Sequence, residues 1–274
     1  MLYDTHVHTN FSHDSKQEPE GNCIAAIERG LSGIAITDHA DMWYYNKRQT
    51  LDHIVASTDK AGELNEKYKD KLNVFRGIEV GDAYFDRSIT TALIDRIKPD
   101  IVIGSIHCLS YAGLSDAYSQ MDLSENAMSR EYLVGLMNRY LDLVTDIAEN
   151  HDLDVLAHLT CPFRYANVKY GRGLTAEEFE TPIKTILDAV IRRKIALEVN
   201  TSGLVNGQGE TLPSETVIGW YKAMGGKLIT LGSDAHSADR LANGFTETRE
   251  MLLRNGFAEC AYYENREARN YSII

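Results

Sequence analysis

The sequence predicts an α/β fold in which a parallel sheet closes into a barrel ringed by helices. Three observations predict it. Short apolar runs enriched in β-branched residues alternate with longer helix-period stretches along the whole chain, a pattern that calls for parallel strands joined by helical crossovers. Neither a GxGxxG fingerprint nor a Walker loop is present, so the usual signatures of an open nucleotide-binding sheet are missing. Finally, polar residues able to do chemistry follow nearly every apolar run, whereas an open doubly wound sheet would gather them at one switch point.

The elements follow in order. The run at 2–7 (LYDTHV) reads as the first strand, and 18–29, entered through Glu18 and Pro19, as the first helix. GIAIT at 33–37 is a short apolar strand, and the long pattern over 51–68 a helix. LNVFRGIEV at 72–80 is the third strand, 89–97 a helix, and DIVIGSI at 100–106 the fourth strand. A long helix over 125–150 leads to a strand at 154–158, and a helix over 176–193 to a strand at 195–200. A helix over 213–224, a seventh strand at 227–232 and a last helix at 247–255 complete the alternation. No Pro/Gly/Ser linker, internal repeat or low-complexity segment divides the chain, so one domain over 1–274 is expected.

Composition narrows the function. With 43% hydrophobic and 25% charged residues the chain is globular, not disordered or coiled-coil. No stretch approaches the ~20 apolar residues of a membrane span, and Asp4, His6 and His8 stand where a secretory leader would be apolar, so a cytoplasmic location is expected. Cys23, Cys108, Cys161 and Cys260 are widely spaced without a CxxC pair, as suits reduced thiols; Cys108 draws notice only for following His107. A net charge of −12 argues against nucleic acid as a partner. It leaves room for a small phosphorylated substrate, because bound cations can dominate a local field. The oligomeric state is not legible.

The strand ends carry the chemistry. After the first come His6, His8, His13 and Asp14; after the second, Asp38 and His39; after the third, Glu79; after the fourth, His107; after the fifth, His158; after the seventh, Asp234 and His236. Seven of the nine histidines sit there, while His53 and His151 fall in helix patterns. The C-terminal ends of barrel strands converge on one face, so residues from 6 to 236 can be neighbours. In HxH and DxH the two side chains point the same way from an extended backbone and can share an ion. Imidazole and carboxylate donors without cysteine suit zinc, manganese or iron in an open site.

The motifs HVHTNFSHDS, TDH, GIEVG, SIH, AHL and GSDAH, in order from residue 6 to 236, resemble the PHP (polymerase and histidinol phosphatase) family. With HLTCPFRY and EVNTSGL, the chain is most similar to its stand-alone histidinol-phosphate phosphatase branch. The resemblance implies a distorted (β/α)7 barrel holding two to three divalent ions (zinc, manganese or iron). It implies that His6, His8, Glu79 and Asp234 bind the first ion and that Glu79 bridges to a second held by His107 and His158. It also implies a third ion on His39 and His236 with a ligand from HDS, either His13 or Asp14.

Such a cluster suits hydrolysis of a phosphate monoester, L-histidinol phosphate being the expected substrate, with an ion-bridging hydroxide as nucleophile. Alternatives are another phosphate monoester, a nucleotide-derived phosphodiester, or a catalytically silent metal-binding module. Asp14, Asp38 and His236 are candidates for moving a proton to the leaving group, and Arg164 for holding phosphate. Relatives often carry a second phosphate-binding arginine after NTSGL, where this chain has Val205; Arg172 or Lys169 in KYGRG is the expected compensation. The loops 44–48 and 111–118 are expected to shape the mouth.

Overall fold

The structure, a computed structural model, describes residues 1–47 and 50–274. Along the chain lie β1 (Tyr3–Val7), α1 (Pro19–Glu28), β2 (Gly33–Ile36), α2 (Thr50–Tyr68), β3 (Asn73–Gly81), α3 (Arg87–Ile97) and β4 (Ile101–Ser105). A hairpin of β5 (Cys108–Tyr111) and β6 (Leu114–Ala117) precedes α4 (Arg130–Asn150), β7 (Val155–Leu156), α5 (Cys161–Arg164), α6 (Glu180–Arg193) and β8 (Ala196–Asn200). Then come α7 (Ser202–Val205), α8 (Glu215–Ala223), β9 (Ile229–Gly232), α9 (Phe245–Arg254) and a closing hairpin of β10 (Glu259–Glu264) and β11 (Glu267–Ser272).

Seven strands form one sheet in the order β1-β2-β3-β4-β7-β8-β9, every pairing parallel. The two edges meet at their C-terminal ends: His8 N donates to Ala235 O at 2.9 Å and Asp234 N to His6 O at 2.8 Å. The sheet is thus nearly closed into a seven-stranded α/β barrel, as the resemblance implied.

The distortion has local causes. Register shifts between Asp4 and Val7 in β1, a bulge of the kind that re-aims side chains beside active sites. The strand expected over 154–158 shrinks to Val155–Leu156. At one end the Asp154 carboxylate takes the Val102 N–H at 2.7 Å; at the other His158 adopts left-handed backbone at φ 24°, which cannot continue a ladder.

Helix α4 begins at Arg130 rather than near 125, because the Ser129 side chain caps it by accepting from Tyr132 N at 3.1 Å. The 176–193 helix divides into a 3₁₀ turn, Ala176–Phe179, and α6.

Apolar helix faces bury against the outside of the sheet. Cys23 and Ala26 of α1 and Ala61 and Leu64 of α2 pack with Ile34, Ile36 and Val74, while Leu136, Tyr140, Ile186 and Val190 of α4 and α6 join Val102, Ile103 and Leu197 in the larger core. The closing hairpin covers the opposite end of the barrel from the histidines. Tyr262 stacks on Tyr3 at 4.1 Å, and Tyr263 Oη donates to Asp154 O at 2.9 Å. No helix is long and apolar enough to cross a membrane among the described residues.

Candidate metal centre

Seven strand ends deliver the site. Glu79, fully buried near the end of β3, lies at its middle. Its Oε1 is 2.9 Å from His158 Nε2 and 3.2 Å from His107 Nε2; its Oε2 is 2.8 Å from His39 Nδ1 and 3.5 Å from both His6 Nε2 and His8 Nε2. Asp234 Oδ1 approaches His8 Nε2 at 3.2 Å and His6 Nε2 at 3.7 Å. Asp14 lies at the rim, with Oδ2 3.2 Å from His236 Nε2 and 3.5 Å from His39 Nε2. His13, half exposed, turns its Nδ1 toward Asp41 at 3.9 Å.

The far side of four of the rings shows what this convergence is for. His6 Nδ1 donates to Glu198 Oε1 at 2.6 Å and His107 Nδ1 to Asp41 Oδ1 at 2.9 Å. His236 Nδ1 donates to the Asp234 carbonyl at 3.0 Å. The Ser12 hydroxyl gives its own proton to Asp38 Oδ1 at 2.6 Å, so toward His8 Nδ1 at 3.0 Å it accepts. Each acceptor fixes the imidazole proton on Nδ1 and leaves the Nε2 lone pair facing inward.

His6 Nε2 and His8 Nε2 then stand 3.0 Å apart. Two inward nitrogens at that distance repel unless a shared proton or a cation joins them, and Glu79 Oε2 is buried with no hydrogen-bond donor among the described residues. Four overlapping triads have all their donor atoms within 4.8 Å of one another: His6–His8–Asp234, His6–Glu79–His158, His39–Glu79–His107 and His8–His39–His236. The residues present therefore fit a cluster of divalent cations.

Local backbone makes room for the anchors. A Cβ at Gly81 would stand 2.1 Å from Asp41 Oδ1, and one at Gly232 2.2 Å from Glu198 Oε1. Glycine at these two strand ends is what lets the Asp41–His107 and Glu198–His6 pairs form. Asp234, like His158, has a left-handed backbone, φ 55°, a conformation that non-glycine residues hold only where packing imposes it.

Burial pushes the His6 imidazolium down, but the carboxylates of Glu198, Glu79 and Asp234 outweigh it and hold His6 well above its ordinary value. His107 is raised in the same way, by Glu79 and Asp41 acting against burial. Burial also opposes ionisation of Glu79, yet His107, His39 and His6 keep its carboxyl well below the usual range. His8 is pushed to about 4 by burial and by His236 and His39, so it is a neutral donor at neutral pH.

Several sequence expectations change. Asp38 is buried and saturated: it accepts from Thr9 N, Thr9 Oγ1, Ser12 Oγ and Ser57 Oγ at 2.6 to 2.7 Å. A carboxylate so occupied organises the THVHTNFS loop and has no free edge for a leaving group. Arg172 is also turned away, its guanidinium buried on the Leu123 carbonyl, and Lys169 lies over the Tyr170 ring. Neither lines the mouth.

Arg164 does line it, donating to Ser202 Oγ at 2.8 Å. The cavity over the cluster, about 560 Å³, is also walled by Tyr44, Tyr118 and Tyr165. Tyr118 arrives on the return of the unforeseen β5–β6 hairpin; Arg48, from the other expected mouth loop, lies outside the described residues. Cys108 is buried and its thiol pushed up by burial and by Asp82, which suits structure and not nucleophilic chemistry.

The residues that sequence reasoning missed are the anchors, Glu198 and Asp41. A glutamate amid the apolar run of ALEVN was the available signal for the first.

A PHP domain model matches residues 4–202. The chain belongs to the PHP family. Among PHP relatives, the histidinol-phosphatase of Lactococcus lactis subsp. lactis is 30% identical over 262 residues, covering 95% of this chain and 93% of that one. The probable histidinol-phosphatase of Clostridium acetobutylicum is 30% identical over 252 residues, 92% of each. The L. lactis histidinol phosphate phosphatase, solved with zinc, L-histidinol and phosphate, superposes with a TM-score of 0.76 at 25% identity over 98% of both chains. A putative histidinol phosphatase from Listeria monocytogenes shares the fold with a TM-score of 0.77 at 19% identity, over 89% of this chain and 99% of that one.

Proposed function

We propose that this PHP protein is a metal-dependent phosphatase that hydrolyses L-histidinol phosphate to L-histidinol and phosphate, residues 1–274 acting as one cytoplasmic domain. The observation that carries the reading is the set of four histidines, His6, His8, His107 and His236, each anchored through Nδ1 with Nε2 aimed at shared carboxylates. A relative similar over nearly the whole chain holds zinc, L-histidinol and phosphate.

His6, His8, Glu79 and Asp234 would hold one divalent ion, and Glu79 with His107 and His158 a second. His39 and His236 with Asp14 would hold a third. Asp14 is preferred to His13 because its Oδ2 reaches both His39 and His236. Zinc, manganese or iron bound there supplies Lewis acidity toward phosphate oxygens and a nucleophile from water at neutral pH.

The protein's own contribution is positioning. Arg164, on the wall of the cavity, offers donors in a planar fork to phosphate oxygens. Tyr44, Tyr118 and Tyr165 narrow the mouth and limit water. While the third ion position is unfilled, the Asp14–His236 pair, at 3.2 Å and open to the cavity, would be placed to pass a proton to the leaving alkoxide; with an ion there, both side chains would serve as its ligands. Burial lowers the basicity of His236, but Asp14 and Asp234 outweigh it and raise it above the usual histidine value.

Steady-state kinetics on zinc- and manganese-loaded protein test the reading, with elemental analysis of the same samples. Expected are two to three ions per chain and a kcat/KM for L-histidinol phosphate at least tenfold above that for p-nitrophenyl phosphate. Equal values would support a second reading, favoured by Val205: a phosphatase for another monoester. Fewer than two ions with no turnover of either ester would refute both.

A further inference from the structure

Beside the main cavity lies a compartment of about 320 Å³ that shares its Asp14, Arg164, Asp234 and His236 walls. Its outer wall is formed by Val205 and Asn206 at the end of α7 and by Arg240 in the turn Ala238–Arg240. Resting on the phosphatase reading, we propose that Arg240 is the second phosphate-binding guanidinium of this site, standing in for the arginine that Val205 displaces.

Three observations lead there. First, Arg240 is one of several exposed arginines without an ion pair among the described residues, and with Arg164 one of the two arginines that line this compartment. Arg130, Arg192, Arg254 and Arg266 each pair with a carboxylate, whereas Arg164 and Arg240 have no carboxylate within ion-pairing distance among the described residues. Arg240 makes one long side-chain hydrogen bond, Nη1 to Asn206 Oδ1 at 3.4 Å, leaving most of its fork free.

Second, its turn is pinned. Gln17 Oε1 accepts from Ala238 N at 2.8 Å, Arg29 donates to the carbonyls of Ala238 and Asp239, and Ser15 Oγ donates to His236 O at 2.8 Å. The loop that carries Asp234 and His236 therefore fixes the backbone from which the Arg240 side chain reaches the compartment.

Third, the compartment needs positive charge. Two of its walls are the carboxylates Asp14 and Asp234, both drawn toward histidines. Val205, 37% exposed, offers nothing to an anion. Arg164 and Arg240 are the arginines lining this compartment.

The test uses metal-loaded protein and two readouts: the Kd of inorganic phosphate by titration calorimetry, and kcat and KM for the ester. Arg240→Ala is expected to weaken phosphate binding and raise KM on the order of tenfold or more, with a smaller fall in kcat and unchanged Tm and metal content. Arg240→Lys should recover part of the loss, and Val205→Arg in the Arg240→Ala background most of it.

A Kd for phosphate within twofold of wild type in Arg240→Ala would overturn the proposal. A double variant no better than Arg240→Ala would overturn the claim that the two positions substitute for each other. Phosphate binding is read without turnover, so a protein that fails to hydrolyse L-histidinol phosphate still reports on Arg240.

Discussion

Replacing Glu198 with glutamine changes no volume and removes one charge, yet it should damage the site. Glu198 Oε1 accepts from His6 Nδ1 at 2.6 Å, and Oε2 accepts from His158 N at 2.8 Å and from Asn200 Nδ2 at 3.2 Å. Glutamine has one carbonyl oxygen and one amide group. Whichever way it is turned, a buried N–H on His6 or His158 meets another donor, at a cost of about 1–3 kcal/mol. If the amide faces His6, the imidazole must also change tautomer, and Nε2 then carries the proton that excludes a cation. Loss of such an orienting partner typically weakens metal binding 10- to 100-fold. Competition for zinc against a chromophoric chelator measures the second effect, and urea unfolding of metal-free protein the first. Glu198→Gln should bind its tightest zinc at least tenfold more weakly and unfold at lower urea. Zinc affinity within twofold of wild type, together with an unchanged urea midpoint, would refute the anchoring argument.

Two further outcomes are expected. Asp4 is fully buried with Ser233 N and Ala242 N donating at 2.9 Å, and burial outweighs these donors to push its carboxyl up to about 6. A carboxyl raised by folding contributes stability that is full below the unfolded value near 4 and is lost as pH rises through 6. That amounts to roughly 3 kcal/mol in all, about half of it between pH 5 and 7.5. The stability gap between wild type and Asp4→Asn, from urea unfolding, should therefore shrink by about that amount over this range; a gap that stays constant or grows would show the carboxyl is not raised. At the rim, Asp14→Asn should lower metal content toward one ion fewer per chain and kcat more than tenfold, as expected for loss of one group of an interdependent site, while His13→Gln should keep its metal content. The opposite pattern would give the third-ion position to His13.

The strands were legible because a strand buried on both faces, by helices outside and by the barrel interior within, is written as a largely apolar run. All seven sheet strands fall within two residues of their expected starts. The expected endings failed where side chains took over backbone hydrogen bonds, as Asp154 does for Val102. The hairpin β10–β11 escaped notice because it carries too little apolar sequence to read as strand: β11 buries only Tyr271, and the buried stretch of β10 is confined to Cys260–Tyr263 between exposed glutamates. In the site, histidines stood out because seven of nine followed strands. Glu198 and Asp41 did not, because a carboxylate that orients an imidazole needs no particular sequence spacing from it. Arg240 was hidden for the same reason. Its partner across the compartment, Arg164, is 76 positions away, and only the barrel brings their strand ends together.

The anchors also explain why metal binding and barrel closure depend on each other. Glu198 on β8 orients His6 on β1, with β9 between them in the sheet order. Asp41, beyond β2, orients His107, beyond β4, and Asp82, beyond β3, accepts from the His107 and Cys108 backbone at 2.8 and 2.9 Å. Each of these imidazoles is oriented from a strand other than its own. A partly closed barrel would therefore present the same residues with rings free to turn and protons free to sit on either nitrogen. The HxH motif supplies two donors by local geometry, but their tautomers come from Ser12 in its own loop and from Glu198, 192 positions from His6. Affinity for the ions is then a property of the closed barrel, and ions that bind the closed form preferentially stabilise closure by the same free energy.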